Sequence, residues 1–143
     1  MSVKENPYFI KNRTESIQIS NAEWRNVLSE EVFNVTRLKG TERAFTGEYW
    51  NTDTKGYYYC VCCGNYLFAS DAKFMSSCGW PSYFEPSQGQ AVYYVEDRSY
   101  NMQRVEVLCK LCDAHLGHVF DDGPAPTNLR YCINSVSIVF EPQ

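Results

Sequence analysis

Two short stretches, "CVCC" at residues 60–63 and "CKLC" at residues 109–112, constrain this chain more than any other feature. In each, two residues separate a pair of cysteines, Cys60 and Cys63 in the first and Cys109 and Cys112 in the second. A tight turn of that length presents both sulfurs to one ion, and two such knuckles supply the tetrahedral four-sulfur shell of a structural zinc site. Each knuckle follows a β-like segment and precedes a glycine or a turn residue. The spacer, residues 64 to 108, is 45 residues long, against about 15–20 in a simple zinc ribbon. One zinc per chain would therefore clamp two distant parts of one domain. Other assignments of these thiols stay open. Cys62 could take the place of Cys63, or Cys109, Cys112, His115 and His118 could form a local Cys₂His₂ set, which would leave Cys60 and Cys63 as a redox pair. The plainest alternative is two pairs of buried thiols without metal.

The rest of the chain suggests a single domain of mainly antiparallel β-structure with a small helical N-terminal part. Residues 1–18 carry no clear period and read as an extension, with residues 19–143 as the domain. Ser20 and Glu23 match a capping box, and Trp24, Val27 and Leu28 fall at helical spacing after them. A second short helix is expected in "SEEVFNVTRLKG", started by Ser29 and stopped by Gly40. From there the segments "YYYCV", "AVYYVE", "QRVEVLCK" and "INSVSIVF" are rich in β-branched and aromatic residues and separated by turn signals. "GPAPTN" reads as the loop before the last strand. No apolar run approaches a membrane span, and the first residues resemble neither a signal nor a transit peptide. A net charge of -4 lacks the basic footprint of a nucleic-acid binder. The expected location is the cytoplasm, where thiols stay reduced and seven cysteines suggest metal or redox chemistry rather than a disulfide framework.

Removing four ligands leaves Cys62, Cys78 and Cys132. Cys78 lies in "SSCGWPSYF", a Gly/Pro/Ser-rich loop able to move, and Cys132 lies in the strand-like "RYCINS". A fixed nucleophile and a mobile second thiol are what a two-cysteine redox cycle needs. A single cysteine in a strand is also, more plainly, a small buried hydrophobe. Arg130 and Asn134, two positions either side of Cys132, share its strand face. A cation and an amide there lower a thiol's pKa and offer hydrogen bonds to a polar substrate. The two histidines, His115 and His118 in "AHLGH", suit a positioned acid/base pair. Trp80, after Gly79, suits the wall of an apolar pocket or plain packing.

The stretches "AFTGEYWN", "YYCVCCGNYLF", "CGWPSYFEP", "MQRVEVLCKLCDAHLGHVFDDGP" and "RYCINSVSIVF" resemble the type B methionine sulfoxide reductases, which reduce the R epimer of methionine sulfoxide. The resemblance runs from about residue 20 to residue 141. It implies two antiparallel sheets, with zinc held by Cys60, Cys63, Cys109 and Cys112 away from the catalytic pocket. It implies that Cys132 is the nucleophile and Cys78 the resolving cysteine. His115, His118 and Asn134 match the polar pocket residues, Arg130 the cation beside the thiol, and Trp80 the wall that receives the methyl group. The implied partners are oxidised methionine residues in proteins or peptides, with thioredoxin as reductant, no nucleic acid and no membrane, and the chain is expected to be a monomer. Ser77 and Tyr83 stand where the family often has glycine and phenylalanine, and Cys62 is an extra thiol beside the first knuckle.

The implied cycle starts with attack of Cys132, held as thiolate by Arg130, on the sulfoxide sulfur. Cys78 then swings in to form a disulfide. Two readings compete. A non-catalytic zinc-ribbon interaction module would not need Cys132, and a zinc hydrolase would use "HLGH" as metal ligands.

Overall fold

In the computed structural model, which describes residues 5–143, the helices start where their capping residues stand. Helix α1 (Asn21–Val27) begins with the Glu23 N–H donating to Ser20 Oγ at 3.2 Å. The other half of a capping box is missing. The Glu23 carboxylate does not return to Ser20; it accepts from the Tyr8 hydroxyl at 2.6 Å. Helix α2 (Glu30–Thr36) is capped by Ser29 and carries Glu30 and Glu31 in its first turn, where the helix dipole favours negative charge. It ends at Thr36, short of the expected Gly40. Lys39 takes a left-handed conformation (φ 63), and the Gly40 N–H reaches back to the Asn34 carbonyl at 2.9 Å. Trp24 and Phe33 anchor the two helices in the core.

Two antiparallel sheets follow. Strands β1 (Gly56–Cys60), β2 (Tyr66–Ala69) and β9 (Ile138–Pro142) form a three-stranded sheet in the order β2-β1-β9. The six-stranded sheet holds β3 (Lys73–Phe74), β4 (Ser82–Tyr83), β5 (Val92–Asp97), β6 (Arg104–Cys109), β7 (His115–Phe120) and β8 (Arg130–Ile133), ordered β3-β4-β8-β7-β6-β5. Aromatic side chains join the sheets. Tyr83 of β4 stacks on Phe68 of β2 with centroids 4.4 Å apart and meets Tyr58 of β1 edge-on at 5.4 Å. All three are fully buried, and large apolar areas in offset and edge contact contribute both burial and ring-pair energy.

Two further sequence expectations need correction. "INSVSIVF" is not one strand: a 3₁₀ turn at Ser135–Ser137 divides β8 from β9 and carries the chain from the large sheet to the small one. Ser137 Oγ donates to the His115 carbonyl and Ser135 Oγ accepts from the Tyr49 N–H, so side chains there compete with ladder pairing. The Cys78 loop is also less free than its composition suggests, because Ser82 and Tyr83 pair with Cys132 and Tyr131. Of the expected extension 1–18, residues 1–4 lie outside the described residues. Residues 6–17 run along both knuckles in hydrogen bonds to their backbone. No helix among the described residues is long and apolar enough to cross a membrane.

Candidate active site

The pleat and register of β8 build the pocket. Cys132 stands opposite His118 of β7 on one side and Ser82 of β4 on the other. Directly opposite residues project to the same face, so thiol, imidazole and hydroxyl converge. Arg130, two residues before Cys132, pairs with Phe120 of β7, and its guanidinium stacks 4.5 Å above the Phe120 ring. Close approach of the two strands depends on Gly117, where a Cβ would run into the Cys132 carbonyl oxygen.

The resulting pocket, about 200 Å³, is lined by Cys78, Trp80, His118, Arg130, Cys132 and Asn134, together with Thr41, Arg104, Gly117 and Phe120. His115 is not among its lining residues. It is buried behind the pocket, and its Nδ1 meets Glu106 Oε2 at 2.8 Å. His118 Nε2 meets Asp97 Oδ2 at 2.7 Å. Burial of Glu106 pushes its carboxyl up, but hydrogen bonds from His115 and Lys39 outweigh it and hold the group below its usual value. Burial lowers the His118 pKa against the opposing pull of Asp97, so the ring is neutral at pH 7. Asp97 is held low by hydrogen bonds from Ser99 first and His118 second.

The Cys78 and Cys132 sulfurs are 3.8 Å apart. A disulfide needs about 2.05 Å, so bond formation takes an approach of less than about 2 Å rather than a loop swing. The hydrogen bond from Cys132 draws the Cys78 thiol down to about 4. Its counterpart raises Cys132, and burial adds to the rise. The pair loses its first proton easily and its second reluctantly. Arg130 does pull Cys132 downward, but its guanidinium is held by both Asp122 carboxylate oxygens at 2.8 and 3.1 Å. The negative charge of the pair thus owes more to the contact of two thiols than to this arginine.

Asn134 and Trp80 are tied to one residue that the sequence did not single out. The Glu42 N–H donates to Asn134 Oδ1 at 2.9 Å, and the Glu42 carbonyl accepts from Trp80 Nε1 at 3.0 Å. Glu42 itself is anchored by the Val136 N–H on its carboxylate at 2.9 Å. Asn134 also donates to the Leu116 carbonyl at 3.0 Å. Glu106, Asp97 and Glu42 lie 9, 21 and 92 residues from His115, His118 and Asn134, and no spacing marks them.

Cys60, Cys63, Cys109 and Cys112 come together elsewhere, with all four sulfurs buried and within 4.8 Å of one another. The Cys60–Cys112 and Cys63–Cys109 separations are 3.6 Å. Tetrahedral zinc with Zn–S of about 2.3 Å needs sulfurs roughly 3.8 Å apart, so the four residues fit one such ion. Each knuckle is a turn at a strand end. The Gly64 N–H returns to the Cys60 carbonyl and the Asp113 N–H to the Cys109 carbonyl, both at 2.9 Å, and Gly64 and Asp113 are both left-handed. The local Cys₂His₂ set does not form, since both histidines face carboxylates. Cys62 is buried beside the cluster but outside the set of four. Strand β6 runs from Arg104 at the pocket to Cys109 in the clamp, roughly 17 Å at about 3.4 Å per residue.

Fold and site together define a class: a two-sheet β domain with a four-thiolate clamp at one end and a paired-thiol pocket at the other. The chain belongs to the SelR domain family, whose model matches residues 28–142. It is 60% identical over 120 residues to the peptide methionine sulfoxide reductase MsrB of Pseudomonas paraeruginosa strain PA7, covering 84% of this chain and 91% of the relative. The proteins of the same name from Azotobacter vinelandii and Acinetobacter baumannii strain ATCC 17978 are 58% and 54% identical, covering 84% and 87% of this chain and 90% and 89% of theirs. A non-catalytic zinc-ribbon module is not favoured by these matches.

Proposed function

We propose that this protein reduces methionine sulfoxide in peptides and proteins to methionine, acting on the R epimer. The observation that carries this reading is the pair of free thiols, 3.8 Å apart, at the wall of a pocket that also holds an indole and an imidazole. The Trp80 ring offers an apolar wall for the substrate methyl group. Cys132, its proton passed to Cys78, attacks the sulfoxide sulfur. His118 supplies the proton taken up by the oxygen, with His115 behind it. Asn134 keeps one amide hydrogen beyond its bond to Leu116 and contributes it to the oxygen. The S–O bond of the substrate breaks, methionine leaves, and Cys132 carries the oxygen as a sulfenic acid. Cys78 then attacks the Cys132 sulfur, forming the disulfide and releasing the oxygen as water. An external dithiol, thioredoxin in this reading, exchanges with the disulfide and leaves oxidised. Zinc bound by four thiolates has no open position for substrate and supplies structure alone. Seven unpaired cysteines suit a reducing compartment, so the reading places the enzyme in the cytoplasm, as a monomer.

The test is turnover of a methionine sulfoxide peptide, with R and S epimers assayed separately and dithiothreitol as reductant. The expected result is consumption of R alone and loss of turnover in Cys132→Ser. Cys78→Ser should reduce one equivalent of substrate per protein and then stall with thioredoxin. Consumption of neither epimer by the metal-loaded protein would sink the reading.

A further inference from the structure

The four-thiolate clamp has a wall that neither knuckle supplies. The segment before α1 crosses both. Asn6 Nδ2 donates to the Cys62 carbonyl at 2.9 Å. The Ile10 N–H donates to the Cys63 carbonyl at 3.1 Å, and the Asn12 N–H to the Gly64 carbonyl at 2.9 Å. Further on, the Ile17 N–H donates to the Leu111 carbonyl, in the second knuckle, at 2.8 Å. The first knuckle is shaped to admit this backbone, since a Cβ at Gly64 would run into the Ile10 carbonyl oxygen. The family match begins only at residue 28, so the segment lies outside it.

Charge points the same way. A zinc ion with four thiolates carries a net charge of about −2. Arg13 Nε donates to the Cys63 carbonyl at 3.1 Å while its Nη2 donates to the Tyr8 carbonyl at 2.8 Å. Arg37 Nη2 donates to the Cys112 carbonyl at 2.8 Å. The last ligand of each knuckle therefore has its carbonyl held by a guanidinium. Tyr8 packs edge-on against buried Trp24 with centroids 5.6 Å apart, and this contact ties the free side of the segment to the core.

We propose that residues 5–17 are a strap that closes the metal clamp, with Arg13 as its positioning residue. With the strap in place the metal exchanges slowly with chelators outside, and release of the strap is the step that exposes it. The inference rests on the clamp holding zinc.

The experiment follows zinc transfer from the full-length, zinc-loaded protein to a chromogenic pyridylazo chelator, with reactive thiols counted in parallel by a disulfide reagent. Arg13→Ala is expected to release zinc roughly tenfold faster or more, because a hydrogen bond from a charged donor is lost, with four cysteines becoming reactive in step. Arg13→Lys, which keeps the charge but not the two-pronged contact, should fall between. Asn6→Ala removes uncharged contacts, to the Val61 and Cys62 carbonyls and the Tyr8 N–H, none of them at a metal ligand; it should accelerate release by a smaller factor, which keeps the test valid if Arg13→Ala does not fold. Glu15→Ala, at an exposed position of the same segment, should release zinc at the parent rate. Equal rates in the parent, Arg13→Ala and Asn6→Ala, each holding one equivalent of zinc, overturn the strap alone. A parent chain that takes up no zinc overturns the metal reading and the strap with it.

Discussion

At the scale of single residues, the protonation of the pocket sets a pH window. The thiol pair loses its first proton at about 4, so thiolate is present above that pH. His118 has a pKa below its ordinary 6.5 because it is buried, so it holds a donatable proton only on the acidic side of 6.5. In the proposed mechanism the sulfoxide step needs both thiolate and acid. Its single-turnover rate is therefore expected to rise with pH through about 4 and to fall again before pH 7. A rate still climbing at pH 8 would remove His118 from the role of acid. Replacing Cys78 takes away the largest influence raising Cys132, so in Cys78→Ser the Cys132 thiol should titrate at a lower pH than it does in the pair, as read by thiolate absorbance. Glu42 makes a second case. Its backbone holds Asn134 and Trp80, and its carboxylate pins that backbone to Val136. Losing a hydrogen bond to a charged group costs about 1.5–3 kcal/mol. Glu42→Ala should accordingly lower kcat/KM by roughly 10- to 100-fold, whereas Glu42→Gln, still able to accept from Val136, should retain most of it.

At the scale of elements, the β7–β8 pair aligns the chemistry. His118 meets Cys132 only because the strands pair in this register, and the register requires no Cβ at Gly117. Gly117→Ala should cost about 1–3 kcal/mol by overpacking, seen as a lower urea midpoint, and should depress kcat because His118 and Cys132 separate together. Little in the sequence announces β7. "HLGHVF" has one β-branched residue and a central glycine, and it is a strand because β6 and β8 pair with it on both sides. By contrast β5 and β6 are visible in the Val- and Tyr-rich runs that form them, and the knuckles in their spacing. The turn at Ser135–Ser137 escapes notice because its serines interrupt a run of Ile and Val that otherwise continues a strand. The partners of the histidines escape for another reason. Glu106 reaches His115 from the adjacent strand β6, and Asp97 reaches His118 from β5, one strand further out; they lie 9 and 21 residues away in the chain, and cross-strand contact leaves no local period.

At the scale of the whole molecule, clamp and pocket share a strand but not a chemistry. Strand β6 delivers Arg104 to one and Cys109 to the other, while β1 delivers Cys60 from the smaller sheet. The metal therefore ties the two sheets at the end opposite the thiol pocket. Its contribution follows from the chain it closes. The knuckles enclose a 45-residue spacer, and a cross-link of that span removes roughly 4 kcal/mol of unfolded-chain entropy at 25 °C. The sequence of 143 residues carries an unfolding entropy of roughly 0.3 kcal/mol/K. Stripping the metal should then lower the midpoint of thermal unfolding by on the order of 10 °C, and more where the four buried sulfurs, left without a cation, repel one another as thiolates. Calorimetry of the zinc-loaded and chelated protein at matched pH reads this shift. An unchanged midpoint would mean that the aromatic contacts between Tyr58, Phe68 and Tyr83 hold the sheets together unaided. A fall of the expected size would place the clamp beside those rings as the second tie between the sheets, one that remains only while four thiolates have a cation to share.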